Sequence, residues 1–126
     1  MKKLSVFAVV ALLFVAPAWA QSHSHGAKGP NGGILEDVAG VHVEFVPSGN
    51  SLTFHILNES NKPVSTKGYS GSVLVVNGPD RETITLTISG ENTLKGEAKK
   101  PIAPGTAITL MIKTDGGKTG QAKYKA

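Results

Sequence analysis

The side chains best suited to chemistry in this chain are four histidines, His23, His25, His42 and His55, together with one carboxylate, Glu44. The sequence contains no cysteine, so disulfides, thiolate metal sites and thiol nucleophiles are excluded together. Any metal must be held by nitrogen or oxygen. Beyond residue 20, Met111 is the only methionine and no tryptophan remains, which argues against a thioether-rich copper(I) site.

The spacing of His42 and His55 becomes informative once they are placed on a hairpin. Val41, Val43 and Phe45 alternate with His42 and Glu44; Leu52, Phe54 and Ile56 alternate with Thr53 and His55; Pro47-Ser48-Gly49-Asn50 lies between them. If Pro47 pairs with Asn50, or Val46 with Ser51, His42 faces His55 while Val43 and Phe45 meet Phe54 and Leu52 on the apolar face. A slip of two residues keeps the faces and makes the histidines diagonal neighbours. Directly opposite Cβ atoms lie about 4.5–5.5 Å apart. Two imidazoles can then share a divalent ion, with Glu44 two residues along the same face. The competing reading is two half-exposed histidines on a polar sheet face.

A second arrangement depends on where the chain begins. Lys2 and Lys3, an apolar run over 4–15, and the small-residue pattern Ala18-Trp19-Ala20 read as a bacterial secretory signal peptide over residues 1–20. The run is too short for a permanent span, so no stable membrane anchor is expected after cleavage. The product would start Gln21-Ser22-His23. A terminal amine, two deprotonated amides and the His23 imidazole can form a four-nitrogen square plane of the kind copper(II) and nickel(II) prefer, with His25 as a further ligand. Cyclisation of Gln21 would remove the amine and leave an ordinary His-Ser-His pair.

The elements that must position these groups are strands. Residues 21–33 are polar and rich in Gly, Ser and His, and read as a flexible arm. From 34 to 126 period-two alternation recurs between turn signals every eight to twelve residues, with no convincing helical periodicity. Strands are expected around 41–46, 52–56, 72–76, 83–88, 93–98 and 108–112, and over the last residues, where Gly120, Ala122 and Tyr124 alternate with polar positions. Ile84, Leu86 and Ile88 are expected to face inward. The expectation is an all-β domain, an immunoglobulin-like antiparallel β-sandwich of seven or eight strands.

Charge excludes little but points away from nucleic acid. The precursor carries thirteen Lys and Arg against nine Asp and Glu; loss of Lys2 and Lys3 with the leader reduces the excess to two. The base-rich part is residues 95–126, and all four histidines lie outside it. Gly29-Pro30-Asn31-Gly32-Gly33 lacks the Lys-Ser/Thr ending and following helix of a phosphate loop and reads as a turn. No serine sits in a Gly-x-Ser-x-Gly elbow, and Glu36-Asp37 reads as a solvated strand end, so no enzyme activity is expected. Asn58-Glu59-Ser60 matches a glycosylation sequon by chance, given the bacterial leader.

His25-Gly26, Gly29-Pro30-Asn31-Gly32-Gly33, Val41-His42-Val43-Glu44-Phe45-Val46 and Asn61-Lys62-Pro63-Val64 together resemble small periplasmic proteins encoded near heavy-metal resistance systems. They also resemble a β domain of the periplasmic adaptor subunits of cobalt-zinc-cadmium type efflux pumps, where a His-Gly-Pro-x-Gly-Gly element precedes a strand bearing an acidic residue. Here Ala27-Lys28-Gly29 separates His25-Gly26 from Pro30. The resemblance implies a free-standing periplasmic domain connected with metal handling. The expected function is binding of copper(II) or zinc(II) by His23, His25, His42, His55 and Glu44, with transfer to an efflux adaptor as partner. The alternative is an interaction module without a metal, docking on an adaptor or envelope protein.

Overall fold

The computed structural model describes residues 26–126, so the expected leader at 1–20, His23 and His25 lie outside the described residues. The described chain contains no helix and nine strands: β1 (Ala27–Lys28), β2 (Ile34–Val38), β3 (Val41–Ser48), β4 (Ser51–Leu57), β5 (Ser70–Asn77), β6 (Asp80–Ser89), β7 (Thr93–Glu97), β8 (Ala107–Lys113) and β9 (Thr119–Lys125). All pair antiparallel, in the order β1-β2-β3-β4-β7-β6-β5-β8-β9.

The all-β, antiparallel expectation holds, but the pairing does not divide into the two separate sheets of a seven- or eight-strand sandwich. One curled sheet forms a half-barrel instead. The cause lies in β6, whose Asp80–Leu86 stretch pairs with β5 while Thr87, Ile88 and Ser89 pair with β7. This strand carries the ladder round the bend without interruption. The alternation breaks at that bend too: Ile84 and Leu86 face the core, but Ile88 is 49% exposed, contrary to its expected inward position.

Curling brings β9 across β2. A Cβ on Gly120 would stand 2.8 Å from the Ala39 backbone nitrogen, so glycine permits this approach. Inside the curl, Phe45 stacks on Phe54 with ring centroids 5.0 Å apart, and Tyr124 from β9 packs on both at 5.4 and 5.9 Å. The inward positions Val43, Leu52, Ile56, Val73, Leu94, Ile108 and Leu110 are fully buried around them. This is the period-two pattern expressed as one core.

The Tyr124 hydroxyl donates to the Val43 carbonyl at 2.8 Å and ties the last strand to β3. Burial, with the Glu36 and Asp37 charges adding to it, holds this phenol well above its ordinary 10.0. The folded state therefore keeps a proton that the unfolded chain releases. The associated stability is complete below about pH 10 and declines above it, by up to about 1.4 kcal/mol per pH unit. Tyr124→Phe should reduce that alkaline slope in urea denaturation between about pH 9 and 11. At neutral pH it should cost about 1 kcal/mol for the lost hydrogen bond. An unchanged slope would show that other groups dominate.

The β3–β4 hairpin forms as expected, in a register two residues from the one that places His42 opposite His55. Ser48 pairs with Ser51, Glu44 with His55 and His42 with Leu57. The two-residue turn is Gly49-Asn50, with φ +58° at Gly49; only glycine takes that first central position of a II′-type turn without strain. Asn50 is then fastened from outside, since its Nδ2 donates to the Ala98 carbonyl and its own carbonyl accepts from Ala98 N.

Candidate functional site

The outer face of β2, β3 and β4 gathers the side chains with chemical potential. Asp37 stands opposite His42, Leu35 opposite Glu44, Glu44 opposite His55, and His55 opposite Thr93. Side chains paired across neighbouring strands share a face, so Asp37, His42, Glu44 and His55 form one patch. The two histidines are diagonal neighbours rather than a facing pair.

Glu44 is fully buried, and its oxygens are taken up by the Gly29–Gly33 segment. Asn31 N donates to both oxygens at 3.1 and 2.9 Å, Asn31 Nδ2 donates to Oε1 at 2.9 Å, and Gly33 N donates to Oε2 at 2.7 Å. The segment closes on itself as well: Gly29 N donates to the Gly33 carbonyl and Gly32 N to the Gly29 carbonyl, with φ +79° at Gly32. A Cβ on Gly29 would overlap the Glu44 carboxylate, and one on Gly33 would overlap the Phe45 carbonyl oxygen. The glycines thus let the backbone wrap the acid.

This geometry corrects the reading of residues 26–33 as part of a flexible arm. Ala27 and Lys28 pair with Leu35 and Ile34, and the turn is held by a carboxylate eleven to thirteen residues downstream. It also changes the part played by Glu44. A carboxylate already accepting from three N–H groups is a latch for the turn, with its lone pairs committed.

His42 sits at the rim. Its Nε2 lies 2.8 Å from Asp37 Oδ1, with the two side chains 21% and 44% exposed, and its Nδ1 lies 3.2 Å from Asn61 Oδ1. Asn61 occupies a tight turn at φ +58°, closed by its N–H on the Asn58 carbonyl. His55 has a weaker partner, Thr93 Oγ1 at 3.4 Å from Nδ1. No cluster of three or more His, Cys, Asp or Glu side chains suited to a metal occurs among the described residues.

Sequence reasoning missed Asp37 and Asn61. A signal for Asp37 was present: Val38 and Val41 flank Ala39-Gly40, a two-residue turn that puts Asp37 opposite His42. The turn takes positive φ at both central residues, +52° and +82°. Alanine is unusual in that position and hides the signal. Asn61 had none, because its contact with His42 depends on how the segment after β4 folds back.

No protein-family model, curated protein or solved structure matches the chain.

Proposed function

We propose that this chain, exported through its leader and starting at Gln21, is a periplasmic binding protein for a divalent transition metal, copper(II) or zinc(II), serving metal efflux or homeostasis. The observation that carries the reading is the Asp37–His42 pair. A carboxylate on one ring nitrogen of a histidine fixes the ring plane, the usual outer-shell arrangement of a metal-binding imidazole, and Nδ1 becomes available to a metal once its contact with the Asn61 side chain is released. His55 stands on the same face, and His23 and His25 shortly precede Gly26 in the sequence. The partners that fit this reading are the metal ion and an efflux adaptor, on the resemblance drawn above.

Calorimetric and dialysis titrations of the chain beginning at Gln21 test it. Binding of copper(II) or zinc(II) tighter than about 10 µM is expected; failure to bind either at that level overturns it. Intact mass of the periplasmic protein, measured with native metals retained, reports the cleavage site, Gln21 cyclisation and bound metal in one spectrum.

A second reading, a metal-independent docking module, is favoured by β9, which ends the sheet order and carries Lys123 and Lys125. Under it, the His42→Ala and His55→Ala forms bind an adaptor as well as the parent chain does, and chelators change nothing.

A further inference from the structure

The turn that Glu44 holds contains a chemically unstable pair, Asn31 followed by Gly32. The side-chain carbon Cγ of an asparagine can be attacked by the main-chain nitrogen of the next residue, and glycine, which has no Cβ, obstructs that attack least. A Cβ on Gly32 would meet nothing within 4 Å, so its surroundings are open as well. Both residues are exposed, and water reaches them.

In the closed latch both reacting groups are tied. Gly32 N, the nucleophile, donates its proton to the Gly29 carbonyl at 3.0 Å. Asn31 Nδ2, the leaving nitrogen, donates to Glu44 Oε1 at 2.9 Å, and Asn31 N donates to both Glu44 oxygens. Ring closure takes the proton from Gly32 N and expels Nδ2, so each half of it gives up one of these bonds. A carboxylate beside the reacting carbon also disfavours the negative charge that builds up on the carbonyl oxygen during the attack.

We propose that Asn31 is a self-modification site, gated by the Glu44 latch, whose product prevents the latch from closing again. With the turn open, Gly32 N bonds to Asn31 Cγ, the Cγ–Nδ2 bond breaks, and the nitrogen leaves as ammonia with the proton lost by Gly32 N. Water then opens the cyclic imide. Cleavage at Cγ leaves aspartate at 31, and cleavage at the main-chain carbonyl leaves isoaspartate. Water enters and ammonia leaves, with no change of oxidation state and no need of a metal. Either product puts a carboxylate where an amide N–H had met Oε1, and two carboxylates at hydrogen-bond distance repel. Isoaspartate also lengthens the main chain between Asn31 N and Gly33 N, the two main-chain donors that grip Glu44. The stretch released includes β1, which pairs with β2 just before the turn.

Asn77-Gly78 places the same dipeptide at the β5–β6 turn, away from the latch, and serves as an internal reference. The purified protein is incubated at neutral pH, folded and in urea, and conversion at each asparagine is followed by peptide mass spectrometry with chromatographic separation of aspartate from isoaspartate. Asn31 should convert about 10-fold or more slowly in the folded protein than in the unfolded one, because only the open turn reacts. Glu44→Gln should speed conversion of Asn31 in the folded protein and leave Asn77 unchanged. Asn31→Asp, which imitates one product, should lower the melting temperature by about 4–8 °C and accelerate hydrogen exchange at Ala27, across from Leu35. Asn31→Ala, which loses the same side-chain bond without adding a charge, should do so by less. The comparison of folded with unfolded parent needs no variant. If Asn31 converts as fast in the folded parent as in urea, or if Glu44→Gln leaves its rate unchanged, the latch does not gate the site. If Asn31→Asp is as stable as the parent and protects Ala27 equally, conversion does not open the latch. Either result overturns the proposal.

Discussion

Glu44→Ala should lower the free energy of unfolding by about 2–4 kcal/mol, read as a shift of the urea midpoint with little change in slope. The substitution removes the acceptor of three N–H groups. Those of Asn31 lie on an exposed residue and can turn to water, but Gly33 is buried. Its N–H, at 2.7 Å from Oε2 in the parent, is left without a partner. A buried donor stranded in this way costs about 1–3 kcal/mol, and hydrogen bonds to charged groups contribute more than neutral ones. The damage should concentrate in the latch. Hydrogen exchange at Ala27 and Leu35, paired across β1 and β2, should accelerate more than exchange at Val73 or Leu110 in the β5–β8 ladder. Glu44→Gln keeps one acceptor but points an amide NH2 at N–H groups, so it should fall between alanine and the parent. A Glu44→Ala protein as stable as the parent would show that the turn holds itself and that the carboxylate is incidental.

The same residue shows where sequence reading succeeds and where it stops. Alternation placed Val43, Phe45, Phe54 and Ile56 on one face and His42, Glu44 and His55 on the other, as found, because a period of two is a local property of the chain. The pairing depended on which residues form the turn. Putting Gly49 first rather than second in the two central positions shifted every partner by two and set Glu44, not His42, opposite His55. Sheet closure was less legible still. Alternation along 83–88 cannot reveal that β6 leaves β5 for β7 near Leu86, so Ile88 reads as core and emerges at the surface. The Gly29–Gly33 segment fails for a different reason. Its composition offers nothing to bury, and its order comes from one distant acid that no local pattern marks.

Gly33→Ala should be nearly as damaging as loss of the acid, at about 2–4 kcal/mol, and the contrast with its neighbours is the diagnostic part. A Cβ at Gly33 would collide with the Phe45 carbonyl and stand 2.8 Å from Val46 Cγ2. The carbonyl belongs to the centre of β3 and cannot retreat, so the turn must lift and surrender the Gly33–Glu44 bond. Gly32, at φ +79° with nothing near its missing Cβ, should cost only the left-handed backbone penalty of about 1–2 kcal/mol when changed to alanine. At Gly29 the obstacle is the Glu44 side chain itself. Gly29→Ala should therefore be costly in the parent but much less so in a Glu44→Ala background, where the methyl group enters the space the carboxylate has left. Gly33→Ala should keep most of its cost there, because the backbone it meets is still in place. Urea unfolding of the four variants and the two doubles separates these outcomes. Strict additivity of Gly29→Ala with Glu44→Ala would mean that the two residues do not share the contact, and that the turn approaches β3 by some other route.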